Sequence, residues 1–205
     1  NGSASEIVSV LMASSDVHKI TFTGSTEVGK QLIRQSADKV KKLSLELGGN
    51  APFIVFDDAD LLKAVEAVMA SKFRNAGQTC VCTNRIYVQS TISEQFTQLL
   101  KEKVAKLVVG NGLEKDVTIG PLIDRGAVEK IASHVSDAKE KGAVVITGGQ
   151  PLTDENYEKG NFFAPTVLAN VTDEMKVSSE ETFGPIAPII QFETEEEVIK
   201  RANSS

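Results

Sequence analysis

The stretch Lys19-Ile20-Thr21-Phe22-Thr23-Gly24-Ser25-Thr26-Glu27-Val28-Gly29-Lys30 changes its period halfway along. Its first half alternates β-branched and aromatic residues and predicts a strand. Its second half opens an amphipathic helix from about 27 to 39, with a Gly-Ser turn between the two. Strand, glycine turn and helix form the repeating unit of layered α/β folds. The same alternation extends outward. Strands are expected near 42–47 and 52–56. A helix over 60–74 then carries Leu61, Leu62, Val65, Val68, Met69 and Phe73 at helical spacing, with Asp60 as N-cap and Gly77 as its stop. A strand at 85–89 leads into Thr91-Ile92-Ser93-Glu94, which has the spacing of a capping box and predicts a helix to about Val108. After the turn Gly110-Asn111-Gly112 come a helix over 125–141 stopped by Gly142, a buried strand at 143–147 and a polar loop over 148–160. Strands at 162–169 and 186–192 follow, and then a second capping box, Thr194-Glu195-Glu196-Glu197. The fold class is α/β, with a largely parallel sheet flanked by helices.

Composition narrows the function. The 205 residues are 41% hydrophobic and 24% charged, as expected of a folded chain in water. Twenty-two Lys and Arg against 28 Asp and Glu leave a net charge of −6, which argues against nucleic acid or an anionic membrane as partner. No apolar run approaches the roughly 18–20 residues that cross a bilayer, and the start lacks the pattern of a signal peptide. The two cysteines, Cys80 and Cys82, are too close to staple distant segments, so a reducing, cytoplasmic setting is expected. Position 1 is Asn and the last residues read as helix, which predicts an internal piece of a longer polypeptide.

Four segments could carry chemistry. Gly24 to Lys30 is a strand-to-helix turn suited to phosphate, because helix-start N–H groups favour anions. It nearly spells a nucleotide-hydrolase P-loop, with Phe53-Ile54-Val55-Phe56-Asp57 as the partner strand. Gln31, however, stands where that motif needs a metal-binding hydroxyl. Gly77-Gln78-Thr79-Cys80-Val81-Cys82 places a thiol on an open loop, where a nucleophile would be accessible. Glu46 ends a strand before Leu47-Gly48-Gly49 and could act as a general base or be only an exposed strand-end charge. Glu180-Glu181-Thr182-Phe183-Gly184-Pro185 reads as an ordered loop. The only histidines, His18 and His134, are isolated, so no metal site is expected.

Taken in order, Phe22-Thr23-Gly24-Ser25, Glu46-Leu47-Gly48-Gly49, Gly77-Gln78-Thr79-Cys80 and Glu181-Thr182-Phe183-Gly184-Pro185 resemble the NAD(P)-dependent aldehyde dehydrogenase family across essentially the whole chain. Ser71-Lys72-Phe73-Arg74-Asn75-Ala76 leading into Cys80-Val81-Cys82 is similar to the succinate-semialdehyde dehydrogenase branch. The resemblance implies that Cys80 is the nucleophile and Glu46 the general base. It implies that Gly24 and Ser25 meet the cofactor pyrophosphate, Leu47 lies near the nicotinamide, Glu181 holds the nicotinamide ribose and Phe183 packs beside the ring. Arg74 would grip a substrate carboxylate, for which a guanidinium fork is suited, the alternative being an arginine that caps a helix end. Cys82 would be a redox partner of Cys80, or else a small packing residue. The cofactor is NAD or NADP, and the partners are a small aldehyde and further copies of the parent chain, as homodimer or homotetramer.

The resemblance also implies a catalytic domain over 47–205 and a remnant of the cofactor-binding domain over 1–46. The oxyanion-hole amide, the adenosine pocket and the C-terminal interface segment would lie outside these residues. Activity is therefore expected of the full-length parent rather than of the fragment.

Overall fold

The Gly-Ser turn joins a strand to a helix. β1 (Lys19–Thr23) leads through it into α2 (Thr26–Ser36). The structure is a computed structural model describing residues 2–204, and its contacts divide the chain into two units, Asn1–Gly48 and Gly49–Ser205. In the first unit β1 pairs in parallel with β2 (Lys42–Glu46), from Lys19 opposite Lys42 to Thr23 opposite Glu46. A helix that the sequence reading missed, α1 (Ala4–Ala13), precedes them and is capped by the Ser3 side chain. The helix expected to reach 39 stops at Ser36, and a tighter turn over Ala37–Lys39 follows, ending at Val40 in a left-handed conformation (φ 47°). The buried Lys41 then donates to Ser14 O at 2.6 Å and to Val17 O, tying the start of β2 to the chain entering β1.

The second unit is built on five strands in the order β3-β4-β7-β6-β5. These are β3 (Ala51–Val55), β4 (Thr83–Gln89), β5 (Val144–Thr147), β6 (Thr166–Ala169) and β7 (Ile186–Phe192). All pairs are parallel except β5 with β6. Parallel strands need crossovers, and helices supply them. They are α3 (Leu61–Lys72), α4 (Ser90–Val104), α5 (Arg125–Glu140) and the short α6 (Lys176–Ser179), while α7 (Glu195–Ala202) follows the last strand. β4 and β7 are covered on both faces and nearly wholly buried, as central parallel strands should be. α3 turns Val65 and Val68 inward, α4 Phe96, Leu100 and Val104, and α5 Ile131, Val135 and Ala138. Each such side chain contributes roughly 1.5–3 kcal/mol by leaving water.

Several local expectations change. α4 begins at Ser90 with no side-chain cap, so the Thr91 capping box does not form; β4 runs straight into the helix and leaves no room for it. At Thr194 the hydroxyl does accept from Glu197 N, but the Glu197 carboxylate reaches back to Glu193 N, one residue beyond the box. The strand expected to be buried at 143–147 is the antiparallel edge of the sheet, with Val144 exposed. The strand expected from 162 begins at Thr166, because Pro165 has no N–H to give a ladder; Phe163 makes only an isolated bridge to Pro151. Gly142 stops α5 with φ of 97°. Among the described residues no helix is long and apolar enough to cross a membrane.

Candidate active site

In the first unit, parallel pairing brings Thr23 and Glu46 to the same end of the two strands. Gly24 N donates to Glu46 O at 3.0 Å, so the Gly-Ser turn and the Glu46-Leu47 corner meet at the carboxyl ends of β1 and β2. That end of an open α/β sheet is where ligands bind. Ser25 caps α2 through its hydroxyl, which accepts from Val28 N. A Cβ on Gly24 would stand 2.4 Å from the Phe22 ring, and one on Gly29 would stand 2.7 Å from Leu47 Cδ2. Both glycines therefore let chain segments approach closely at the helix start. The residues present suit a pyrophosphate, with backbone N–H groups and positive dipole at one end of α2 and no side chain on Gly24 to obstruct it. Glu46 is exposed, and a carboxylate there is free to meet water.

In the second unit Cys80 lies on a turn within the open loop that the sequence suggests. Cys82 N donates to Thr79 O at 3.0 Å, leaving Cys80 exposed and Cys82 buried. Three successive left-handed residues, Asn75 (φ 51°), Ala76 (φ 54°) and Gly77 (φ 73°), carry the chain from α3 into this turn. Asn75 Nδ2 donates to Gln78 O, Gln78 Nε2 returns a bond to Asn75 O, and Gln78 Oε1 accepts from Ile123 N at 2.9 Å. These bonds hold a conformation that two residues with side chains adopt only at a cost. At Gly77 a Cβ would meet Gly184 O at 2.1 Å, so the Cys80 turn presses directly on the 181–185 segment.

That segment is fixed from several sides. Glu181 Oε1 accepts from Gly49 N at 3.4 Å, and Lys130 Nζ donates to Glu181 O at 2.7 Å. The buried His134 ring lies 3.3 Å from Thr182 Oγ1 through Nδ1 and 3.3 Å from Glu180 Oε2 through Nε2. Burial pushes His134 below its usual range, and the Glu180 carboxylate opposes this only in part. A neutral ring with Nε2–H toward the carboxylate and Nδ1 accepting from Thr182 satisfies both partners. Phe183 is exposed with φ of 53°. A Cβ on Gly49 would come within 3.4 Å of Cys80 O. Within this unit the fold thus gathers Gly49, the Cys80 turn and Glu181, and a carboxylate held open in that cluster suits ribose hydroxyls.

Arg74 stands apart from this gathering. It is exposed, and no hydrogen bond or ion pair holds it among the described residues, so the helix-capping role gains no bond to support it. It opens onto a groove of about 410 Å³ that is lined by Glu66, Phe73, Lys103 and Ile119 among others, and Cys80 is not part of that lining. The sequence reading missed Lys72. The residue is fully buried and sits on the inward face of α3 with Val65 and Val68. Spacing of three and then four residues along an apolar face was the signal available for it.

Comparison with known proteins places this geometry. A model of the "Aldehyde dehydrogenase family" matches residues 1–205. The chain is 55% identical over 204 residues to the succinate-semialdehyde dehydrogenase [NADP(+)] GabD of Escherichia coli, covering 100% of the chain and 42% of that protein. It is 58% identical over 204 residues to a 3-sulfolactaldehyde dehydrogenase of Pseudomonas putida, covering 100% of the chain and 41% of that protein. Among solved structures, an E. coli NADP-dependent enzyme superposes with a TM-score of 0.95 at 55% identity, over 99% of this chain and 41% of that one. A Staphylococcus aureus betaine aldehyde dehydrogenase in complex with NAD+ gives 0.94 at 39% identity, over 100% and 41%. The chain therefore spans about two fifths of the length of the relatives it matches. The alternative of a P-loop hydrolase finds no support, since the family match covers the P-loop-like turn along with everything else.

Proposed function

The chain belongs to the aldehyde dehydrogenase family, and from that premise we propose that the full-length enzyme oxidises succinate semialdehyde to succinate with NAD or NADP. The observation that carries the reading is the exposed Cys80 on a turn pressed against the 181–185 segment, next to Glu181 and Gly49. Cys80 adds to the aldehyde carbonyl to give a thiohemiacetal and later holds the acyl group as a thioester. The cofactor, when bound, supplies the hydride acceptor. Gly24 and Ser25 receive its pyrophosphate at the start of α2, Leu47 and Phe183 flank the nicotinamide, and Glu181 holds the adjoining ribose. Glu46 takes a proton from the water that hydrolyses the thioester. Residues 1–46 then belong to a cofactor-binding domain and 47–205 to a catalytic domain.

Arg74 is assigned to the distal carboxylate of the substrate. Its guanidinium has no protein partner to compete with, and two relatives are named for aldehydes that bear an anionic group. Cys82 is assigned as the resolving thiol that forms a disulfide with an oxidised Cys80 and so silences the enzyme reversibly. A cytoplasmic homodimer or homotetramer completes the reading.

The test is an assay of the full-length enzyme with succinate semialdehyde, an uncharged aldehyde of similar length, and each cofactor. Aldehyde-dependent growth of reduced cofactor, strongest with the semialdehyde, supports the reading. In Glu46→Gln a burst of reduced cofactor should survive while steady turnover falls, because hydride leaves before water attacks. Equal loss of burst and turnover would remove Glu46 from the deacylation step.

A further inference from the structure

Lys72 is 0% exposed at the end of α3. Lysines are almost never buried this completely without an acidic partner, because an uncompensated ammonium in the interior is costly. Among the described residues Lys72 forms no ion pair. Its Nζ lies instead 3.4 Å from Cys82 Sγ and 3.3 Å from Asn84 Oδ1. The titratable groups that act on it are Cys82, in contact, and Glu181, at longer range. Burial is the larger influence and pulls its ammonium below the usual lysine range.

The neighbours hold the amine against one acidic group. Asn84 Nδ2 donates to Gly49 O at 2.8 Å, which leaves Oδ1 facing the amine as a pure acceptor. An N–H of Lys72 therefore points toward Asn84. On the other side is the Cys82 sulfur, itself 1% exposed, which accepts from Lys72 Nζ at 3.4 Å while its own S–H faces Thr83 O at 3.3 Å; of the groups in contact with the amine it is the one with an acidic proton. A thiol must lose its proton to become a nucleophile, and at this depth water cannot readily take it.

We propose that Lys72 is the proton acceptor for the Cys82 thiol when Cys82 attacks an oxidised Cys80. The proposal rests on the resolving role given to Cys82 above. In the first step a peroxide transfers oxygen to the Cys80 thiolate, which becomes a sulfenic acid while the peroxide is reduced to hydroxide. In the second, the Cys82 S–H turns from Thr83 O to Lys72 Nζ, its bond breaks and the proton passes to the amine. The freed sulfur forms the bond to Cys80 Sγ, and the Cys80 S–O bond breaks. Hydroxide leaves as water with the proton that Lys72 then releases. The products are one disulfide and one water, and Lys72 ends neutral, so no uncompensated charge is left in the interior. The turn over 79–82 must open for the sulfurs to meet.

The experiment uses the full-length enzyme, wild type and Lys72→Met, oxidised with hydrogen peroxide. The rate of Cys80–Cys82 linkage is followed by peptide mass spectrometry from about pH 6.5 to the ordinary thiol pKa of about 8.5. Wild type should link at a rate that varies little over this range. Lys72→Met should link at least about tenfold more slowly near neutrality and accelerate toward high pH, as an unassisted thiol does. Linkage in Lys72→Met at the wild-type rate and with the wild-type pH profile would overturn the assignment while leaving the redox reading of Cys82 intact. Absence of any linkage in wild type would overturn both. If the variant does not fold, the wild-type profile decides: a nearly flat rate supports the assignment, and a rise of about tenfold per pH unit overturns it.

Discussion

The two units fix their chemically useful atoms in opposite ways. In Asn1–Gly48 the buried apolar side chains among the described residues are Met12 and Leu32, and the sheet has two strands. Isolated pairs of strands are marginal in water. Geometry there rests on polar devices: the Ser25 cap, the Gly24 N to Glu46 O bond and the Lys41 clamp on two carbonyls. In Gly49–Ser205 a continuous apolar cluster runs from Val55 to Val198, and the Cys80 turn is wedged against it through Gly77 and Gly184. One unit positions by hydrogen bonds and helix ends, the other by close packing. The first should tolerate small steric changes and the second should not.

Paired glycine substitutions test that contrast most sharply. Gly77→Ala puts a methyl 2.1 Å from a backbone oxygen at a φ of 73°, and should destabilise by about 3 kcal/mol or more in a denaturant titration of the full-length enzyme. Gly24→Ala meets only the Phe22 ring, which can swing aside, and should cost about 1 kcal/mol. Equal losses would mean that the first unit is as tightly packed as the second. A smaller effect is expected at Arg74, measured on specificity. Arg74→Leu should reduce kcat/KM for succinate semialdehyde roughly ten- to a hundred-fold relative to an uncharged aldehyde, the value of one charge-assisted bond. A uniform loss for both substrates would return Arg74 to a structural role. Ser25→Ala comes next. It removes a cap worth about 1 kcal/mol, and the loss should appear as weaker cofactor binding with little change at the Cys80 turn. The smallest effect concerns pH. Because burial lowers His134 from its usual 6.5, the unfolded chain takes up this proton first as pH falls. Stability that is intact above the unfolded value is thus lost as pH drops below it, down to the folded value. His134→Asn should flatten the acid side of the melting-temperature profile over that window.

Much of this was legible before any coordinates. β1 and β7 fall where strand patterning puts them, and the turn at Gly24 is written in the Thr-Gly-Ser run. Motif residues are legible because their chemistry demands a residue type at a fixed spacing. Packing outcomes are less so. α1 carries Ile7, Val10 and Leu11 at helical spacing behind Ser3 and Glu6, a start signal and stripe that the sequence reading passed over, and the three remain exposed. The edge position of β5 depends on which strands pair beyond it, which periodicity cannot tell. Lys72 was hidden by its type. A lysine on an apolar stripe reads as a surface residue until the sheet and Cys82 close over it.

The place of β4 in the sheet also sets a schedule for synthesis. Ile86 pairs with Ile189, so about 100 residues must leave the ribosome after β4 before its second neighbour exists, roughly 5–20 s at ordinary elongation rates. During that interval β3 covers one edge of β4 and the other is bare, an apolar template open to any passing strand. Gly184, the wedge for the Cys80 turn, arrives with the same late segment. A nascent chain stalled anywhere between Gln89 and Gly184 would therefore hold Cys80 on an unfinished loop beside a sticky edge. That is the state in which a chaperone has most to protect.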